Sequence, residues 1–169
     1  VDTGNDTRGV LVRAASPEEY DEISELTVKV YVGEGYVPPD DPYVRELADV
    51  AHRGAAAEVL VAVHQGAVVG SLTVAPPGNP YAEIAREGEL EFRMLAVSAQ
   101  ARGLGAGTAL VTAVLEQAVG QGYAAVVLTT SPSMRDARRI YDRFGFVPVP
   151  QRDWYTDDGM LLTVLRREL

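Results

Sequence analysis

A mixed α/β fold, one sheet with helices on both faces, is what the sequence predicts. Three observations carry that expectation. Runs of β-branched and aliphatic residues alternate with segments of helical period. The helical segments bear start and stop residues of their own. The resulting order, β-α-α-β-β-β-α-β-α-β-β, has at its centre a strand, a glycine-rich loop, a helix and a second strand.

"GVLVRAA" reads as the first strand, and "SPEEYDEISELTVKVY" as a helix with Ser16 as N-cap, Pro17 at the first position and Glu19 completing a capping box. After the loop "VGEGYVPPDD", Asp41 and Pro42 open a second helix, "PYVRELADVAHR", which Gly54 is expected to end. "AEVLVAVH" and "AVVGSLTVA" form a hairpin turned at Gln65 and Gly66. In the strand "ELEFRMLAV", Glu89, Glu91 and Arg93 alternate with Leu90, Phe92 and Met94, so one side is expected to be polar. "TALVTAVLEQAV" has a helical apolar stripe and stops at Gly120 and Gly122. "YAAVVLTT" is a buried strand, and "SPSMRDARRIYDRF" is a helix closed by Gly145. "FVPV" and "GMLLTVLRREL" are the last strands.

With 169 residues the chain is read as one domain over residues 9–169, preceded by a flexible tail over residues 1–8. The tail lacks signal-peptide character and no apolar run approaches membrane-spanning length, so a cytoplasmic protein without membrane association is expected. The absence of cysteine removes disulfides, thiolate metal sites and a cysteine nucleophile, and no metal is expected. A net charge of -9 argues against nucleic acid as a partner. The run "RDARRIYDR" nonetheless holds four arginines against two aspartates and keeps a local anion site open, to which Arg138 is assigned.

Chemistry concentrates in "SAQARGLGAG", where Gly103, Gly105 and Gly107 alternate just where a helix begins. A Walker loop would need Lys and then Ser or Thr after the last glycine, and Thr108 and Ala109 stand there instead. A dinucleotide fingerprint starting at Gly103 would need glycine at position 108. The surviving pattern is Arg102-x-x-Gly105-x-Gly107. Together with "EFRMLAV" before it and "ARRIYDRFGFVPV" after it, this loop resembles the acyl-CoA motifs of the GCN5-related N-acetyltransferase (GNAT) family over residues 89–149.

The resemblance implies a mostly antiparallel, twisted sheet of about seven strands and an acetyltransferase with acetyl-CoA as cosubstrate. Amides of Arg102, Gly103, Leu104, Gly105, Ala106, Gly107 and Thr108, at the positive end of a helix, suit a pyrophosphate. The resemblance further implies that the backbone of Leu95, Ala96 and Val97 binds the pantetheine arm, and that Tyr141 protonates the departing thiolate. Met134 departs from the asparagine that relatives often carry there. Glu91 is the candidate base, and Glu89, on the same side, competes with it. The acceptor, a small-molecule or peptide amine, is expected at Tyr31, Glu34, Tyr36, Trp154 and Tyr155. His52 and His64 are read as structural. A noncatalytic acyl-CoA-binding module remains an alternative, and a homodimer is left open.

Overall fold

The capping box at Ser16 forms as read, with the Ser16 amide donating to Glu19 Oε1 at 2.9 Å. In the computed structural model, which describes residues 9–169, a single turn at Pro17–Glu19 leads from β1 (Val10–Ala14) into α1 (Tyr20–Gly33). The tail expected over residues 1–8 lies outside the described residues.

The second helix departs from expectation. It divides at Asp49 into α2 (Tyr43–Ala48) and α3 (Val50–Ala56), and it runs through Gly54 instead of stopping there. A Cβ at Gly54 would stand 2.2 Å from the Tyr20 hydroxyl, so this glycine serves close packing against α1 rather than termination. Arg53, 1% exposed, satisfies the carbonyls at the end of α2 by donating to Glu46 O at 2.6 Å and Leu47 O at 2.8 Å.

β2 (Glu58–His64) and β3 (Ala67–Ala75) form the expected hairpin, with positive φ at Gln65 and Gly66 as a tight two-residue turn requires. β4 (Glu89–Val97), α4 (Ala106–Gly120), β5 (Ala125–Thr130) and α5 (Arg135–Arg143) follow. The chain ends with β6 (Val147–Pro148), β7 (Trp154–Tyr155) and β8 (Leu161–Glu168). The two-residue β7 is too short for a periodic signal and is absent from the sequence reading.

Eight strands build the sheet in the order β1-β2-β3-β4-β5-β8-β6, with β7 on β8. Every neighbouring pair is antiparallel except β4 and β5. One face is covered by α4 and α5, through Leu110, Val114 and Tyr141 packed on Leu72, Phe92 and Leu128. Full burial of such side chains contributes about 1.5–3 kcal/mol each. The other face carries α1, α2 and α3, through Tyr31, Leu47 and Val50.

β4 is where the pattern read from sequence slips. Its register to β3 shifts between Ser71 and Thr73, and Met94 adopts φ 60°. This bulge inserts one residue, so Leu95 joins Leu90 and Phe92 in the core under α4. Met94 turns to the opposite core with Ala96 and Tyr31, whereas simple alternation had placed it beside Phe92.

Candidate active site

The bulge lies where β4 and β5 part. Their parallel register covers Glu89, Leu90 and Glu91 only. Beyond it β5 stays with β8 as far as Thr130, and β4 stays with β3 as far as Val97. A wedge opens between them, along which the β4 edge at Leu95, Ala96 and Val97 has no strand neighbour on the β5 side among the described residues. Such an edge suits an extended, amide-bearing arm, which would satisfy its backbone groups.

The wedge leads into the glycine loop. Gly103 and Gly105 hold φ of 88° and 81°, and Gly105 is the N-cap of α4. A Cβ at either would meet nothing within 4 Å, so the outer side of the loop is open. Gly107 has a different reason. Its Cβ would stand 2.7 Å from Ile140 Cδ1, so it lets α4 and α5 approach rather than clearing space for a ligand. Leu104 packs against the core, and the first turn of α4, Ala106, Gly107 and Thr108, is where a helix has amides without carbonyl partners. Arg102 is engaged by Glu34 at 2.5 Å and Asp136 at 3.9 Å. Arg138 pairs with Asp142 on the exposed side of α5 at 3.0 Å. The arginine of α5 that reaches α4 is Arg143, which the sequence reading missed; it donates to Thr108 Oγ1 at 3.1 Å.

The polar side of β4 is buried, not solvated. Glu91 is 0% exposed, and its Oε1 accepts the amides of Glu83, Ile84 and Ala85 at 2.9, 2.9 and 3.0 Å. Among the described residues its Oε2 has no hydrogen-bond partner. Burial raises the Glu91 carboxyl above the usual range, against the opposing pull of those amides and of Arg93. Glu89 is a different group. Arg152 donates to both of its oxygens and Arg166 to Oε2, all at 2.9 Å. Burial works to raise Glu89, but hydrogen bonds from Arg152, the Arg86 amide and Arg166 outweigh it and hold the carboxyl at about 2. A carboxylate held so firmly ionised is a poor proton acceptor near neutrality.

Tyr141 is 4% exposed and packs edge-on against Phe92 and Phe146, with ring centroids 5.9 and 5.8 Å apart. Burial pushes its phenol up, so it stays protonated at neutral pH. Among the described residues its hydroxyl has no hydrogen-bond partner. Tyr31 packs edge-on against Tyr36 at 5.9 Å and lies in the core with Met94 and Ala96. Glu34 belongs to the same segment but is taken by Arg102. Trp154 leans on β5, with Nε1 donating to Thr129 Oγ1 at 3.5 Å, whereas Tyr155 is 68% exposed. Met134, the N-cap of α5, packs against the Tyr31 cluster.

The sequence reading also missed the network of Arg93. Its guanidinium meets Glu83 at 2.9 Å, Glu46 at 3.4 Å, Tyr43 Oη at 3.3 Å and Tyr81 O at 3.1 Å. It thereby joins α2 and the segment before β4 to the polar side of β4. His52 and His64 do have partners, the Tyr81 hydroxyl for Nδ1 of His52 and the Gly9 carbonyl, at 2.9 Å, for Nδ1 of His64.

A glycine loop opening a helix beside a splayed parallel strand pair defines an acyltransferase-type fold. The chain belongs to the Acetyltransferase (GNAT) family, whose sequence profile matches residues 20–146. It is 36% identical over 107 residues to "N-acetylaspartate synthetase" of Danio rerio, covering 63% of this chain and 36% of that protein. It is 38% identical over 86 residues to "N-acetyltransferase 8B" of Homo sapiens, covering 51% of this chain and 37% of that protein. The chain thus spans well under half the length of either. Among solved structures it is similar to a GCN5-related N-acetyltransferase from Kribbella flavida, with TM-score 0.72, 24% identity and coverage of 95% and 98%. It is also similar to yncA from Salmonella typhimurium, solved with acetyl-CoA, with TM-score 0.69, 19% identity and coverage of 95% and 94%. At these identities the structures establish the fold.

Proposed function

We propose that the chain is an acetyl-CoA-dependent N-acetyltransferase acting directly on a primary amine of a small molecule or peptide. The observation that carries this reading is the wedge between β4 and β5, whose unpaired β4 edge runs into the amide-rich start of α4. Glu91 stands at its apex and Tyr141 packs on Phe92, the next residue of β4.

Acetyl-CoA supplies an activated acyl carbon and a thiolate leaving group. The chain's own residues do the rest. Backbone groups of Leu95, Ala96 and Val97 hold the pantetheine arm, and amides at the start of α4 hold the pyrophosphate. The unpartnered Oε2 of Glu91 takes the amine proton through a water molecule. As the new N–C bond forms and the C–S bond breaks, Tyr141 gives its proton to sulfur. Solvent then restores both groups, and the products are an amide and a free thiol. Tyr31, Tyr36, Trp154 and Tyr155 are assigned to the acceptor side. The name of the zebrafish relative specifies aspartate as its acceptor, which makes amino acids one class to test.

Release of free thiol from acetyl-CoA, measured across aminoglycosides, polyamines, amino acids including aspartate, and peptide N-termini, tests this function. Amine-dependent release supports it. One observation favours a second reading, a noncatalytic acyl-CoA-binding module. Glu91 Oε1 already has a complete structural task in holding residues 83–85. Acetyl-CoA binding without turnover on any amine would select that reading.

A further inference from the structure

The segment before β4 is strapped onto that strand at several points. Glu91 Oε1 accepts three successive amides, those of Glu83, Ile84 and Ala85, and Glu89 Oε1 accepts the Arg86 amide at 3.0 Å. Arg152 donates to Ile84 O at 2.7 Å. The other end of the strap is held by Arg93, two residues after Glu91 on the same side of β4. Its guanidinium meets the Glu83 carboxylate at 2.9 Å and the Tyr81 carbonyl at 3.1 Å. The Arg93 side chain is 9% exposed and is steadied from α2 by Glu46 and Tyr43. A planar guanidinium serves a carboxylate and a carbonyl in one fixed geometry, which a lysine ammonium does not.

The charge around Glu91 follows from the same contacts. Its register neighbours, Ala75 on β3 and Val127 on β5, are apolar. Glu89 lies two residues away but is neutralised by Arg152 and Arg166. Glu83 and Glu46 are turned to Arg93, and Arg53 of α3 reaches Thr73, the β3 partner of Arg93, at 3.2 Å. Burial keeps Tyr31, Tyr43 and Tyr81 protonated. Arg93 is the cation that opposes the effect of burial on Glu91. We propose that Arg93 is a positioning residue for the base: by clamping residues 81–83 it keeps the three amides on Glu91 Oε1 and so leaves Oε2 oriented and free for the amine proton. The inference rests on Glu91 as the base, and it makes the structural task of Oε1 a part of the catalytic one.

The test compares wild type, Arg93→Gln and Arg93→Lys by two readouts. The first needs no substrate: amide hydrogen exchange at residues 83–85 of the unliganded protein. Both variants are expected to exchange there about tenfold faster, the worth of one charged hydrogen bond, with the rest of β4 unchanged. The second is the pH profile of kcat/KM for acetyl-CoA and the amine that gives the fastest thiol release in the panel above. Arg93→Gln removes the cation that favours ionised Glu91, so the acid limb should move to higher pH, with kcat/KM on that limb about tenfold below wild type and the loss shrinking at high pH. Arg93→Lys keeps the charge and should return the limb close to its wild-type position. Unchanged exchange at residues 83–85 in both variants would overturn the proposal, as would an equal loss of kcat/KM at every pH, which marks a structural role. Should Arg93→Gln fail to fold, exchange and pH profile in Arg93→Lys decide: faster exchange with the limb kept supports the clamp, and unchanged exchange overturns it. An acid limb that survives in Glu91→Gln would instead overturn the base reading, and the role of Arg93 with it.

Discussion

Arg102 in the glycine loop and Glu34 at the end of α1 are joined at 2.5 Å, so that loop is tied to the segment that carries Tyr36. The pair is partly exposed, and a phosphate would compete with Glu34 for the same guanidinium. Glu34→Gln is therefore expected to tighten acetyl-CoA binding by about twofold to fivefold, the worth of an exposed ion pair. Added salt should shrink the difference, because the competition is electrostatic. Weaker binding in Glu34→Gln, read by calorimetry, would mean that the two residues act together on the ligand.

Glu89 should show itself as a stability residue. Its carboxyl is held at about 2 instead of the ordinary 4.5. A depressed acid contributes stability that is present above its unfolded value and is lost as pH falls through the folded one. Glu89→Gln leaves Arg152, whose side chain is 8% exposed, without its counter-charge. A loss of about 3–5 kcal/mol is expected at neutral pH. Urea unfolding should show the gap between variant and wild type narrowing from about pH 4.5 toward pH 2. A gap that stays constant over that interval would contradict the ion-pair account.

Glu91→Gln keeps a carbonyl oxygen for the amides of residues 83–85 but cannot accept a proton. Because burial raises the Glu91 carboxyl, wild-type kcat/KM should fall with acidity at a higher pH than an ordinary carboxylate would give. Glu91→Gln should remove that limb and lose more activity near neutrality than at high pH, where free amine is plentiful. Equal loss at every pH, with Glu91→Ala no worse, would assign Glu91 to structure alone.

Tyr141→Phe removes a hydroxyl with no partner among the described residues and keeps the ring packed on Phe92 and Phe146. Folding and acetyl-CoA affinity should hold while turnover drops by about 10² to 10⁴, the usual contribution of a positioned acid. Wild-type turnover in the folded variant would return Tyr141 to the core as an ordinary aromatic.

The sheet, its hairpin and the helix entering from the glycine loop were legible because each has a local signal: alternation, a two-residue turn, glycines at positive φ. What escaped depends on contacts distant in sequence. The turn of Met94 away from Phe92 follows from a bulge against β3, and no pattern within β4 announces it. Gly54 reads as a stop until Tyr20 is seen beside it. Glu89 and Glu91 look alike on one strand, and only Arg152, Arg166 and the amides of residues 83–85 separate them. Arg138 and Arg143 are likewise distinguished by which of them meets Thr108.

The most direct measurement is amine-dependent thiol release and acetyl-CoA binding in Gly105→Glu, with Gly105→Asn as the control. Gly105 is left-handed at φ 81° with open space beyond it. Asparagine tolerates that backbone and tests the strain alone, whereas glutamate also sets a side chain and a negative charge where the pyrophosphate is placed. Folded Gly105→Glu is expected to lose both binding and thiol release, with Gly105→Asn retaining most of each. Wild-type binding and turnover in folded Gly105→Glu would contradict the claim that acetyl-CoA is held and used at this helix entrance.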